Sequence, residues 1–142
     1  MKDFHFDHVD AARETLAGRV IRTPVLPLCS NKLTPYLPAD CAMFMKLELF
    51  KHTGSFKARG ALLVVDWQDE DMRTSGVAGL SGGNFALALA WAAQQNNVLA
   101  KVVMSKTADP LRINGCRDLG AEVVLVDGIA AAMPELDRIK AE

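Results

Sequence analysis

Gly76-Val77-Ala78-Gly79-Leu80-Ser81-Gly82-Gly83-Asn84-Phe85 decides the fold class of this 142-residue chain. The short apolar run 76–80 reads as a buried strand and enters a turn at Ser81-Gly82-Gly83-Asn84. Phe85 to Gln95, rich in alanine and leucine, reads as a helix. Toward the C-terminus the rhythm repeats. Val98 to Met104 is a strand, Pro110 opens a helix to about Leu119, and Gly120 is placed to cap it. Glu122 to Val126 is the next strand, and a last helix runs from about Ile129 to the chain end. Strand and helix alternating at this spacing predict an α/β fold: a parallel sheet flanked by helices on both faces, in three layers, with right-handed crossovers. In such sheets ligands sit beyond the carboxyl ends of the strands, where strand-to-helix turns collect.

Toward the N-terminus the pattern is less regular. Ala42 to Leu49 reads as a strand whose second half alternates. Thr53-Gly54-Ser55 is a turn with Ser55 as the helix cap, and Phe56 to Val65 follows as a helix weakened by Gly60. Pro24, Pro27, Pro35 and Pro38 exclude a long helix between Arg22 and Pro38. Val9 to Leu16 has helical spacing, with Val9, Ala12, Leu16 and Val20 on one side.

Bulk properties narrow the function classes. Half of the residues are hydrophobic, 23% are charged, and the formal net charge is −1. That balance fits one soluble folded domain and offers no electrostatic case for nucleic acid or an anionic membrane surface. No apolar run approaches the ~20 residues needed to span a bilayer, and Met1-Lys2-Asp3-Phe4-His5 lacks the layout of a signal peptide. Cys29, Cys41 and Cys116 form no CxxC pair and read as small buried side chains in a reducing cytoplasmic setting. His5, His8 and His52 make no metal-binding group, so no metal site is expected.

Two turns carry the chemistry. Lys57 falls in the first turn of its helix, where the dipole is positive and a cation costs roughly 0.3–1 kcal/mol. A lysine placed for solubility belongs at the other helix end. The same field favours the neutral amine, the form that attacks an aldehyde to make a Schiff base. Position alone does not separate this role from that of a solvated surface lysine. In the second turn, Gly82 and Gly83 let the backbone approach a ligand and adopt positive φ. They lie at a helix N-terminus, where N–H groups without internal partners form an anion site. Asn84 adds an amide that both donates and accepts. A tight turn with Asn84 as helix cap is an equally good reading, and one turn can do both. The spacing matches neither a Walker A loop nor GxGxxG.

Taken together, these segments resemble the fold-type II pyridoxal-phosphate (PLP) enzymes, the tryptophan synthase β-like superfamily, and the serine/threonine dehydratases most. The resemblance begins at Ile21-Arg22-Thr23-Pro24-Val25 and continues through Lys46-Leu47-Glu48. It is residue for residue at Gly54, Ser55, Phe56, Lys57, Arg59 and Gly60 of the cofactor-lysine motif. Ser81-Gly82-Gly83-Asn84-Phe85 is similar to the family's asparagine loop, and Leu119-Gly120-Ala121-Glu122-Val123 to a further run, all in the family's order.

The resemblance implies that Lys57 holds PLP as a Schiff base and removes the substrate α-proton, while the cofactor ring takes up the electrons. Asn84 would bond the ring hydroxyl and Phe56 would pack near the cofactor. Ser81 and the N–H groups of Gly82, Gly83, Asn84 and Phe85 would hold the substrate carboxylate. The implied reaction is β-elimination from L-serine or L-threonine-type hydroxy amino acids, giving a 2-oxo acid and ammonia. β-Replacement, threonine synthase-like chemistry and a non-catalytic amino-acid-binding fragment of the same fold are the alternatives. Phe85 stands where dehydratases often carry histidine. Gly82 stands where racemase-like members carry a serine that acts as the opposite-face base. Pure L-serine is therefore expected to give pyruvate with little D-serine, and comparable D-serine measured by chiral chromatography would overturn this.

No glycine cluster for the PLP phosphate follows Asn84. The chain is thus expected to be an N-terminal portion of a longer enzyme, a single partial region 1–142. An arm with edge elements would occupy about 1–50 and a small α/β subdomain carrying the lysine and asparagine loop about 51–142. The family implies a small amino-acid substrate and homo-oligomers.

Overall fold

A computed structural model describes residues 5–28 and 30–141; Cys29 lies outside them. Its centre is a parallel sheet of β3 (Val77–Leu80), β4 (Ala100–Ser105) and β5 (Glu122–Val126), in the order β3-β4-β5. Val77 pairs with Ala100 and Lys101 with Glu122, so each crossover carries one helix: α4 (Asn84–Gln95), then α5 (Pro110–Asp118). α6 (Gly128–Lys140) follows β5.

Side chains of a strand alternate between faces, and here both faces are apolar. Val102 and Met104, fully buried, belong to a core shared with α4, α5 and α2 (Lys57–Asp66). Val103 points the other way, into a second core with Ala132, Leu136 and Ile139 of α6. The expected arrangement of helices on both faces of a parallel sheet is what the chain forms. Gly120 takes φ +86° after α5, as a helix-ending glycine does.

α2 and α4 lie side by side because small residues let them. Ala58, Ala61, Leu62 and Val65 of α2 enter the same core as Ala86, Ala90 and Ala93 of α4. Their close packing sets the lysine-bearing helix against the helix that follows the glycine turn.

Several boundaries differ from expectation. Helix α1 runs from Phe6 to Leu16, and α4 begins at Asn84 rather than Phe85. β4 starts at Ala100, because Asn97 turns the chain at φ +53° just before it. A short helix α3 (Glu70–Ser75) was not anticipated: six residues are too few for an apolar repeat. Its cap is nonetheless visible, since the Asp69 side chain accepts from the Met72 N–H at 2.9 Å.

The expected strand Ala42–Leu49 contracts to β2 (Phe44–Lys46), antiparallel to β1 (Val25–Pro27) with Leu26 opposite Met45. At Leu47 the backbone turns (φ −81°, ψ 69°) into a 3₁₀ turn over Glu48–Phe50. Glu48 thereby leaves the strand and meets the groups described below.

The cysteine reading holds for Cys116, which is buried, and fails for Cys41, which is exposed. Burial pushes the Cys116 thiol up, against a smaller opposing pull from Arg112. Less thiolate and less access act together, so iodoacetamide at pH 8 is expected to alkylate Cys41 at least about tenfold faster than Cys116. Peptide mapping over time checks it. Equal rates would mean that the helix α5 core opens readily.

Candidate active site

The loop before Lys57 is held in an uncommon backbone. Thr53 and Gly54 both have positive φ, +61° and +68°. Glycine adopts this freely, whereas a β-branched threonine there requires its surroundings to enforce it. One such restraint is the His52 ring, stacked on Trp91 of α4 at 4.5 Å between centroids and 12° between planes. The loop is thus keyed to α4 directly.

Ser55 does not cap α2. The helix begins at Lys57, the cap position is Phe56 in αR backbone, and no side chain bonds the first N–H groups. The Ser55 side chain turns inward instead: the residue is 6% exposed and its hydroxyl has no partner, nor has the buried hydroxyl of Thr53. Lys57 itself is exposed, with Nζ 4.9 Å from the centroid of the half-exposed Phe56 ring. The amine stands at the positive end of the helix and makes no ion pair with an acid among the described residues.

In the second turn the ladder ends at Ser81, whose N–H donates to the Val103 carbonyl at 3.1 Å. Ser81 Oγ then accepts from the Gly83 N–H at 3.1 Å. Gly83, not Asn84, occupies the cap position of α4. Neither Gly82 nor Gly83 takes positive φ, contrary to expectation. Their lack of Cβ matters for space: a Cβ on Gly83 would meet nothing within 4 Å, so the backbone there is bare to a ligand. With the Gly83 N–H taken, those of Asn84 and Phe85 in the first helical turn remain as donors. The Phe85 ring lies over Gly79, where a Cβ would come within 3.2 Å of it. Lys57 and Asn84 share no hydrogen bond among the described residues.

A polar network behind Lys57 was not recognised as a unit from the sequence. The buried Thr23 hydroxyl donates to Glu48 Oε1 at 2.8 Å, and Lys46 Nζ donates to the Thr23 carbonyl at 2.6 Å. Arg59 Nη2 lies 3.0 Å from Glu48 Oε2, an ion pair without hydrogen-bond alignment. Lys51 is 6% exposed and donates to the Ile21 carbonyl. Burial holds the Lys51 ammonium below its ordinary range. Glu48 opposes that shift, while Arg59 and Lys46 reinforce it. The signal was available, because Thr23, Glu48 and Arg59 all fall in the family-like segments.

These residues fit PLP at its reactive end: an exposed primary amine for the aldehyde, an adjacent aromatic ring, and a bare glycine turn. Unpartnered Ser55 and Thr53 hydroxyls lie in the lysine loop itself. Among the described residues no group of His, Cys, Asp and Glu could hold a metal ion.

The lysine opens helix α2, which packs on the helix that follows the glycine-asparagine turn at the end of β3. Residues 16–142 match the family described as pyridoxal-phosphate dependent enzyme, and the chain belongs to it. The chain is 46% identical over 130 residues to phenylserine dehydratase of Ralstonia pickettii, covering 92% of this chain and 39% of that protein. To L-threonine ammonia-lyase of Thermotoga maritima it is 39% identical, covering 87% and 30%. In structure it is similar to maize serine racemase with a TM-score of 0.84 at 27% identity, covering 96% of this chain and 40% of that one. The chain therefore spans 30–40% of the length of these relatives, and the maize structure shares its fold-type II α/β architecture.

Proposed function

We propose that the chain supplies the amine and carboxylate-binding half of a PLP-dependent β-elimination site for hydroxy amino acids of the L-serine/L-threonine type. The observation that carries this is the exposed Lys57 amine at the first residue of α2, held by a loop stacked on α4. When bound, PLP supplies an electron sink for the carbanion formed at the substrate α-carbon. The chain's own groups do the rest. Lys57 would hold the cofactor through its amine, and the same amine would carry the substrate α-proton. Ser81 and the N–H groups of Gly82, Asn84 and Phe85 receive the carboxylate at the bare Gly83 backbone, Asn84 orients the ring hydroxyl, and Phe56 shields one side. Loss of the β-hydroxyl as water, with hydrolysis of the imino nitrogen, yields a 2-oxo acid and ammonia.

An aromatic hydroxy amino acid is a second reading. It is favoured by the relative named phenylserine dehydratase and by the Phe85 ring beside the carboxylate turn. The missing phosphate loop and the remainder of the site would come from a further region of the family fold. The exposed apolar residues of the β1–β2 pair, among them Leu26 and Phe44, support association with such a region or with a second copy. No described helix is long and apolar enough to cross a membrane.

The test is reductive trapping: PLP, then borohydride, then mass-spectrometric mapping. Label is expected on Lys57 and absent from Lys57→Ala, with circular dichroism unchanged. Serine, threonine and phenylserine are then compared for 2-oxo acid release. Label spread over the other exposed lysines would overturn the assignment.

A further inference from the structure

A cavity of about 670 Å³, whose lining does not include Lys57, is walled by α1, the segment after it, β2, Lys51 and Arg59. That volume is in the range of small-molecule sites. Its lining is of two kinds. The apolar side of α1 contributes Val9, Ala12 and Leu16, joined by Val20. Arg13, Arg22, Lys46, Lys51 and Arg59 contribute five cations, nearly a third of the sixteen Lys and Arg in a chain whose net charge is −1.

The counter-charges fall short. Asp10 pairs with Arg13 at 3.3 Å, and Glu48 with Arg59 at 3.0 Å. Lys46 and Lys51 hydrogen-bond to backbone carbonyls, which are dipoles rather than charges, and Lys51 shares Glu48 with Arg59 as its nearby acid. Arg22 makes no hydrogen bond or ion pair among the described residues. Five cations set against two carboxylates thus share one cavity, and one of the five, Lys51, is nine-tenths buried. Like charges held together at a partly desolvated wall create a positive potential focused into the cavity. Backbone carbonyls of Ile21 and Thr23 hold the two lysines in place, so this part of the cationic wall is pre-organised, while Arg13 and Arg22 are exposed beside it.

We propose that this cavity binds a small multivalent anion carrying phosphate or carboxylate groups, at a site separate from the Lys57 amine. The arginines Arg13 and Arg22 at the rim form charge-assisted hydrogen bonds to the anion, and the α1 side covers its apolar part. The proposal stands independently of the β-elimination reading.

Isothermal titration with pyrophosphate, and in parallel with citrate, tests it at a fixed ionic strength of about 0.15 M so that general screening is constant. One saturable site is expected for at least one probe, and the tighter probe identifies phosphate or carboxylate as the natural headgroup. Arg22→Gln and Arg13→Gln are each expected to weaken it about tenfold, the loss of one charge-assisted bond. Both residues are exposed, and circular dichroism verifies the fold. Lys106→Gln, a surface lysine outside the cavity, is expected to bind as the parent does, and so is Lys57→Ala. Absence of saturation with both probes at millimolar concentration would overturn the site. Equal weakening in Lys106→Gln would reduce it to diffuse charge, and loss in Lys57→Ala would move the anion to the cofactor site. Each of these results defeats the proposal, and none of them bears on whether Lys57 takes PLP.

Discussion

Leu62→Ala is expected to lower the unfolding free energy by about 3 kcal/mol, within the range for emptying a well-packed leucine site. Leu62 is fully buried in the core that α2 shares with α4, a core in which Ala58, Ala86 and Ala90 offer little side-chain volume to fill a vacated space. Domains of this size are stable by only ~5–15 kcal/mol, so the change removes a large fraction of the total. Urea unfolding followed by tryptophan fluorescence measures it, since Trp91 lies in the same core. Leu62→Met, which nearly conserves volume, is expected to lose under about 1.5 kcal/mol. A loss below about 1 kcal/mol for Leu62→Ala would mean that α2 is not firmly docked. The consequence for the site is direct, because α2 carries Lys57 at its first residue. A loosened α2 is expected to lose site-specific PLP trapping at temperatures where the parent retains it.

Glu48→Ala is expected to cost about 2–3 kcal/mol. Its carboxylate is mostly buried and serves two partners, the Thr23 hydroxyl and the Arg59 guanidinium. Removing it strands a buried hydroxyl and leaves Arg59, Lys46 and Lys51 facing one another without a counter-charge. Arg59 is 39% exposed at its side chain, so water screens part of the loss and the figure lies below that of a fully buried pair. Glu48→Gln keeps an acceptor for Thr23 and should lose less. A Glu48→Ala variant as stable as the parent in urea would show that the network is incidental to the fold. Because the network spans the segment after α1, the end of β2 and α2, its failure should also release the loop leading to Lys57. The His52–Trp91 stack then becomes that loop's remaining tie to α4.

The order of elements was legible in the sequence because it depends on local chemistry. Apolar runs read at 76–80, 98–104 and 122–126, alternating with helical stretches, point to a parallel sheet covered on both sides. Pro110 and Gly120 mark helix ends whatever surrounds them. The lysine motif and the glycine turn were likewise readable, since their residue types and order match the PLP family to which residues 16–142 belong. Three matters were settled by tertiary contacts alone. Ser55 reads locally as a cap, yet its side chain is drawn into the interior and Phe56 takes the cap position, because α2 is positioned by its packing on α4. Ala42 to Leu49 alternates like one long strand, yet the chain turns at Leu47, and Glu48 meets Thr23 and Arg59, partners 25 residues before it and 11 after. The cluster of Arg13, Arg22, Lys46, Lys51 and Arg59 is scattered over 47 positions of a chain with almost no net charge. Residue type and local spacing determine helix, strand and motif; which charges share a cavity depends on distances that exist only once α1, β2 and α2 have packed.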